Sequence, residues 1–93
     1  MRTIRKFEID KGSGAFEVTM PRNADILCVQ VQEGFPHLCA IVDDEAPKEI
    51  RRVVVVGTGW GLPDDIGRGD YIGTYPSDGG YFVWHVFASK IAV

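Results

Sequence analysis

The sequence predicts an all-β fold, an antiparallel sandwich or small barrel of about seven strands built from hairpins. Three observations lead to this prediction. Apolar residues recur at alternate positions in short runs, turns rich in glycine and proline separate the runs, and no stretch carries the apolar period of a stable helix. The 93 residues, 45% of them hydrophobic, suffice for a single all-β domain over residues 1–93.

The first two strands are predicted from alternation on either side of a polar turn. Residues 3–9 place charged side chains on both faces, which is typical of a strand near the edge of a sheet. Residues 10–14 have the composition of a turn, and residues 15–20 alternate again between an apolar and a more polar face. We therefore expect strands one and two to form a hairpin.

A second hairpin is predicted next along the chain. Its strands are residues 26–32 and 37–42, and glycine and proline in the connection between them favour a turn. In the first of these strands Leu27, Val29 and Val31 share one face. We expect these three side chains to be buried.

Two later strands are apolar on both faces. The first follows a carboxylate-rich surface loop at residues 43–49 and contains four consecutive valines at residues 53–56. The second is the last strand, residues 81–89. Such strands need cover on each side, so we expect either a central position in a closed sandwich or barrel, or a homo-oligomer in which a second copy covers one face.

Between these two strands the sequence predicts one long connection and one hairpin. Residues 63–69 show no periodicity and are expected to cross one end of the fold, whereas residues 71–75 form a short strand that a turn at residues 76–80 joins to the last one. Aromatic side chains are concentrated in this half of the chain, and we expect most of them to lie in the core. They are Trp60, Tyr71, Tyr75, Tyr81, Phe82, Trp84 and Phe87.

Charge and composition argue against several classes of function. The formal net charge of −3 disfavours general nucleic-acid binding, because that affinity comes mainly from neutralising phosphates. No apolar run is long enough to span a membrane, and the first residues lack the apolar core of a signal peptide. Two cysteines in such a chain favour free thiols in a reducing cytoplasm.

The best candidate site is the glycine-rich loop that follows the four valines. Its backbone amides could form an anion-binding concavity, the two preceding arginines could supply positive charge, and its tryptophan could stack on a purine. The loop lacks the helix of a dinucleotide fold and the Lys-Ser/Thr ending of a P-loop, so a plain strand-end turn is the competing interpretation. The candidate ligand-binding residues are Arg51, Arg52, Gly57, Thr58, Gly59, Trp60 and Gly61.

Residues with catalytic or metal-binding chemistry are sparse, and the sequence predicts no catalytic residue, no metal site and no cofactor. Cys28 lies opposite Cys39 if the intervening turn has two residues, and His37 then shares their face. A metal site would need that register and a fourth ligand, so two thiols packed in the core are the simpler interpretation. His85 lies within an aromatic strand, where a structural histidine with satisfied hydrogen bonds is expected.

Short motifs between residues 20 and 87 are specific as a set. They are Met20-Pro21, Ala24, Ile26-Leu27, Val29, Val31-Gln32, Gly34, Pro36, Leu38, Ala40-Ile41-Val42-Asp43, Ala46-Pro47, Arg52, Val56-Gly57-Thr58-Gly59, Pro63-Asp64, Gly79-Gly80 and Val83-Trp84-His85-Val86-Phe87. This set resembles a family of small uncharacterised proteins encoded by tailed bacteriophages. The resemblance implies a phage product in the bacterial cytoplasm, and it implies no particular activity.

Residues and resemblance together predict a non-enzymatic binding protein that acts in the host bacterial cytoplasm. We expect it to oppose a host defence system, either by sequestering a nucleotide signal or by occluding a host protein. A nucleotide should bind in a pocket at the glycine-rich loop, whereas a host protein should dock on a flat exposed surface. A structural accessory of the virion or of its assembly is the alternative.

Overall fold

A computed structural model describes residues 1–9 and 12–93 of the chain. These residues form two antiparallel sheets, with strand order β1-β4-β3 in one and β2-β5-β7-β6 in the other. The predicted seven-stranded all-β architecture is thus confirmed, as an open sandwich and not a closed barrel. The strands are Arg2–Glu8 (β1), Gly14–Pro21 (β2), Asp25–Gln32 (β3), Phe35–Asp43 (β4), Lys48–Gly57 (β5), Tyr71–Ser77 (β6) and Phe82–Ala92 (β7).

Helical structure in the described residues is limited to two single turns of 3-10 helix, Arg68–Asp70 and Asp78–Gly80. The second turn joins β6 to β7, as expected for the hairpin predicted there. Across residues 1–9 and 12–93, none of the helical segments has the length and apolar character needed to cross a lipid bilayer.

The core lies between the two sheets and is built mainly from their central strands. The side chains with no exposed surface include Met20, Leu38, Val53, Val55 and Val86. Burying a side chain of this size stabilises the fold by about 1.5–3 kcal/mol. β5 and β7, the strands that are apolar on both faces, are the two inner strands of the four-stranded sheet, so their predicted central position is confirmed.

The second face of β5 is covered by the chain itself. β5 and β6 run in the same direction on either side of β7, so the segment between them, residues 58–67, has to cross the sheet. On that face Arg52 Nη1 donates to Asp65 Oδ2 at 2.7 Å, and Val54, only 2% exposed, lines a small cavity together with Pro63. The segment therefore lies on the sheet face and not across one end of the fold. A second copy is not needed to cover this surface.

The predicted hairpin of strands one and two is wrong. β1 pairs with β4, placing Phe7 opposite Leu38, whereas β2 pairs with β5, placing Phe16 opposite Val53. β1 and β2 therefore lie in different sheets, and residues 10 and 11 of the turn predicted between them lie outside the described residues. Alternation shows which face of a strand is buried, but it does not specify the neighbouring strand.

The predicted hairpin of β3 and β4 is confirmed, and its turn has two residues. Glu33 and Gly34 both have positive φ, 51° and 81°, as a type I′ turn requires. The register shifts near the start of β3, between Ile26 and Cys28.

The burial predicted for β3 is partly wrong. Ile26 and Val29 pack against the core, whereas Leu27 and Val31 are exposed. Leu27 lies at the register shift, where the irregularity turns Ile26 inward in its place. Val31 lies two residues before the hairpin turn, at the end of the sandwich.

β3 and β6 approach each other where the two sheets meet at one side of the sandwich. A Cβ atom on Gly73 of β6 would lie 2.8 Å from Val29 Cγ1, which is closer than such atoms come in proteins. Valine is stiff at its first side-chain torsion and cannot easily move aside. Glycine at position 73 is therefore a packing requirement of the sandwich.

Replacing Gly73 with alanine should destabilise the protein by about 1–3 kcal/mol, because the added methyl group forces the two sheets apart. Urea unfolding followed by tryptophan fluorescence measures this change. Gly67→Ala is the matched control, since a Cβ atom there meets nothing within 4 Å and its φ of −140° suits alanine. Equal unfolding midpoints for the two variants would contradict the packing argument.

Candidate functional site

Arg51 of the sequence-predicted site is a structural residue. Its side chain is 4% exposed and faces the interior of the sandwich. The guanidinium donates to the carbonyl of Ala24 at 2.9 Å and to the carbonyl of Ser89 at 2.8 and 2.6 Å. These bonds tie together the start of β3, the middle of β5 and the end of β7, so Arg51 is not free to bind a ligand.

Arg52 points to the opposite face of β5, where it pairs with Asp65. Both arginines precede Gly57 by five or six residues, which is roughly 17–20 Å along a strand. The structure therefore does not bring Arg51 and Arg52 together with the glycine-rich loop. The seven residues of the sequence-predicted site do not form one surface.

Gly57, Gly59 and Trp60 form a tight turn around the tryptophan ring. The amide of Trp60 donates to the carbonyl of Gly57 at 3.0 Å, and Gly59 has a φ of +85°. The indole folds back over Gly57, where a Cβ atom would lie 3.0 Å from Trp60 Cε2. Trp60 nevertheless remains 51% exposed, so the loop presents an aromatic surface.

Thr58 connects this loop to His85 on the outward face of the four-stranded sheet. Thr58 Oγ1 lies 2.6 Å from His85 Nε2, and Thr74 Oγ1 lies 3.1 Å from His85 Nδ1. Thr74 also shares a hydrogen bond of 2.6 Å with the Tyr71 hydroxyl. Both ring nitrogens of His85 are satisfied, as expected for a structural histidine, and the network joins the loop to β6 and β7.

A larger cavity lies close to this loop, at the end of the sandwich where the β3–β4 and β6–β7 hairpins turn. We call it the end cavity. Its volume of about 450 Å³ falls within the range of small-molecule sites. It is lined by Gly12, Val31, Gly34, Pro36, Tyr75, Pro76, Ser77, Asp78 and Trp84.

Tyr75 gives the end cavity an unusual polar group. The residue is 7% exposed, and within the described part of the chain its hydroxyl is the buried side-chain polar atom without a hydrogen-bond partner. Burial raises the pKa of this phenol above its usual value, so it stays protonated and able to donate. Leaving such a group unpaired costs about 1–3 kcal/mol.

A short chain of hydrogen bonds forms the polar wall of the end cavity. Trp84 Nε1 donates to Ser77 Oγ at 2.7 Å, and Ser77 Oγ donates to Asp78 Oδ2 at 3.0 Å. The second carboxylate oxygen of Asp78 accepts none of these bonds. The wall therefore offers acceptor oxygens, in addition to the phenol of Tyr75.

Aromatic rings extend outward from the end cavity. The ring of Trp84 lies 5.4 Å from that of Trp60 and 5.3 Å from that of Phe82, which in turn lies 4.9 Å from Tyr81. We call these four side chains the aromatic row. Among the seven aromatics expected mostly in the core, only Tyr75 and Trp84 are buried. That expectation is wrong because several of them occupy turns and the end of the sandwich.

A family model described as a domain of unknown function, DUF7352, matches residues 1–92. The chain belongs to this family. Neither a curated protein nor a solved structure matches it. The match covers both sheets and all residues of the end cavity of this DUF7352 domain, and the family description carries no activity.

The thiols of this DUF7352 domain lie on the outward face of the three-stranded sheet. Cys28 pairs directly with Cys39, and His37 lies two residues before Cys39 on the same face, in the register that a two-residue turn predicts. Both cysteines are half-buried and lie outside the core cluster, so the predicted packing of both thiols in the core is wrong. Among the described residues no three His, Cys, Asp or Glu side chains converge closely enough to hold a metal ion.

Sequence reasoning missed Tyr75, Ser77 and Asp78 as cavity residues, because they read as the end of a strand and a hairpin turn. One signal could have identified them. Ser77 and Asp78 lie in the turn that follows Tyr75 and leads into the aromatic last strand. The hairpin therefore places these polar residues beside aromatic ones. Polar turn residues beside aromatic strand residues are a common composition for binding sites.

Replacing Arg51 with methionine should destabilise the protein by about 3 kcal/mol, because two buried carbonyl groups lose their charged donor. The matched Arg52→Met variant should lose less than about 1 kcal/mol, since its ion pair is largely exposed. Urea unfolding of both variants provides the comparison. If Arg52→Met were the more damaging change, the scaffold role of Arg51 would be disproved.

Proposed function

We propose that this protein is a non-catalytic binding protein that takes a small, uncharged ring compound into the end cavity. The observation that carries the proposal is a cavity of ligand size whose lining includes Tyr75, a residue with a buried hydroxyl that has no hydrogen-bond partner among the described residues. Natural proteins rarely leave such a group unpaired, and a ligand acceptor would satisfy it once the cavity wall opens to the hydroxyl.

Charge decides between ligand classes. Asp78 is the single charged residue among the described residues that line the end cavity. Among the described lining residues a phosphate would face a carboxylate and no compensating cation, whereas a neutral ring with N–H or O–H groups could donate to the free carboxylate oxygen. Nucleosides and monosaccharides have both the ring and the donors, so they fit this site better than the nucleotide expected from sequence.

Binding of a host protein is a second candidate, favoured by the aromatic row. Three members of the row are exposed at the end of the sandwich, namely Trp60, Tyr81 and Phe82. Aromatic side chains are enriched at protein interfaces. The row could also extend a small-molecule site outward. Competition between a small ligand and a protein partner at this end would support both roles.

The biological setting that we propose rests on the sequence resemblance. A phage product in the host bacterial cytoplasm could remove a small signal of a defence system or block one of its proteins. A structural accessory of the virion remains the alternative, and a homo-oligomer remains a prediction. Co-purification with particles, without any small-molecule binding, would favour the structural role.

Tyr75→Phe should separate binding from folding. The ligand-free variant should be about 1 kcal/mol more stable than wild type, because an unpaired buried hydroxyl has been removed, while ligand affinity falls about tenfold. Tryptophan fluorescence measures affinity for a panel of four nucleosides, their 5′-monophosphates and common monosaccharides. Tyr81→Phe is the control, since Tyr81 is 82% exposed and lies outside the cavity lining.

Three outcomes would contradict the proposal. The first is that neither the nucleosides nor the sugars change the fluorescence or the melting temperature of the wild-type protein. The second is that only the monophosphates bind, with an affinity that depends on Arg52. The third is that Tyr75→Phe binds as tightly as wild type while being less stable.

A further inference from the structure

Cys28 and Cys39 face each other on an exposed surface that takes no part in the end cavity. They are directly opposite residues of antiparallel strands, in the register fixed by the two-residue turn. The Cα atoms of such pairs lie about 4.5–5.5 Å apart, within the range that a disulfide requires. Both side chains are half-exposed, so a small reagent can reach them.

The thiols interact in the reduced protein. The pKa of Cys39 is raised, first by burial, then by the charge of Cys28 and by a hydrogen bond with its thiol. Gln30 Nε2 approaches Cys28 Sγ at 3.9 Å, and Lys6 pairs with Cys39 from β1. The two cysteines therefore face each other on the outward surface of the sheet, where the strand register brings them together.

We propose that Cys28 and Cys39 form a thiol–disulfide exchange site whose substrates are small-molecule disulfides such as oxidised glutathione. The Cys28 thiolate attacks one sulfur of the oxidant, forming a mixed disulfide and releasing one thiolate. Cys39 then loses its proton and attacks Cys28 Sγ, forming the cross-strand disulfide and releasing the second thiolate. Two protein thiols are oxidised and one small disulfide is reduced to two thiols.

The order of attack follows from the surroundings of the two thiols. Cys39 lies in the central strand β4, where burial raises the pKa of its thiol above the usual value, and it serves as the resolving thiol. Cys28 lies next to the register shift of β3, in an edge strand, where the backbone has fewer constraints than in the central strand β4. An excess of reduced glutathione reverses both steps, as expected for a transient disulfide in a reducing compartment.

This disulfide would link β3 to β4 within the hairpin that contributes Val31, Gly34 and Pro36 to the wall of the end cavity. The exchange site does not depend on the proposed ligand, however, because the two cysteines lie on the outward face of the sheet. The two proposals can therefore fail separately.

In the test, reduced protein is incubated with oxidised glutathione. The thiols that remain free are then alkylated, and the intact mass of the protein is measured. Wild type should end with the mass of two hydrogens lost, no alkylation and no glutathione attached. Cys28→Ser and Cys39→Ser should each stop at the mixed disulfide and carry one glutathione, with Cys28→Ser reacting several-fold more slowly. Dithiothreitol should return every sample to its reduced mass.

A second measurement does not depend on the folding of any variant. Phenylarsine oxide bridges two neighbouring thiols, so one equivalent should protect both cysteines of the wild-type protein from alkylation. The proposal is overturned if wild type accumulates stable glutathione adducts like the single variants, forms disulfides between chains, or stays reduced. Alkylation of both cysteines in the presence of the arsenical would equally refute it.

Discussion

Two strands that are apolar on both faces set the main constraint on this fold, because each of those faces has to be kept from water. β5 and β7 lie side by side in the four-stranded sheet, with the three-stranded sheet over one face, and residues 58–67 cover the other face of β5. The crossing segment also fixes the turn after β5. That turn places Trp60 against Trp84, which lines the end cavity.

The strands could be predicted from sequence because alternation records which side chains face the core. Their pairing could not, because Phe7 and Phe16 look alike in sequence and yet pack from different sheets. The two-residue turn at Glu33 and Gly34 was more informative, since counting back from it places Cys28 opposite Cys39. The irregularity beside Leu27 has no sequence signal, and it changed which residues of β3 are buried.

The candidate site was harder to predict than the fold. Arg51 and Arg52 precede the glycine-rich loop in sequence. As neighbours in a strand, however, they point to opposite faces of the sheet, and roughly 17–20 Å of extended strand separates them from the loop. The end cavity instead combines two hairpins that are distant along the chain. Tyr75 resembles any core aromatic in the sequence, and only the three-dimensional structure reveals that its hydroxyl lacks a partner.

The central claim is that the outward face of β5 is covered within one chain, and labelling at position 54 tests it most directly. A Val54→Cys variant, made with Cys28→Ser and Cys39→Ser, would be treated with a water-soluble maleimide over a wide range of protein concentrations. Intramolecular cover by residues 58–67 predicts slow labelling at a rate that does not change on dilution. Labelling that accelerates on dilution would show that a second copy provides the cover, and would contradict this account.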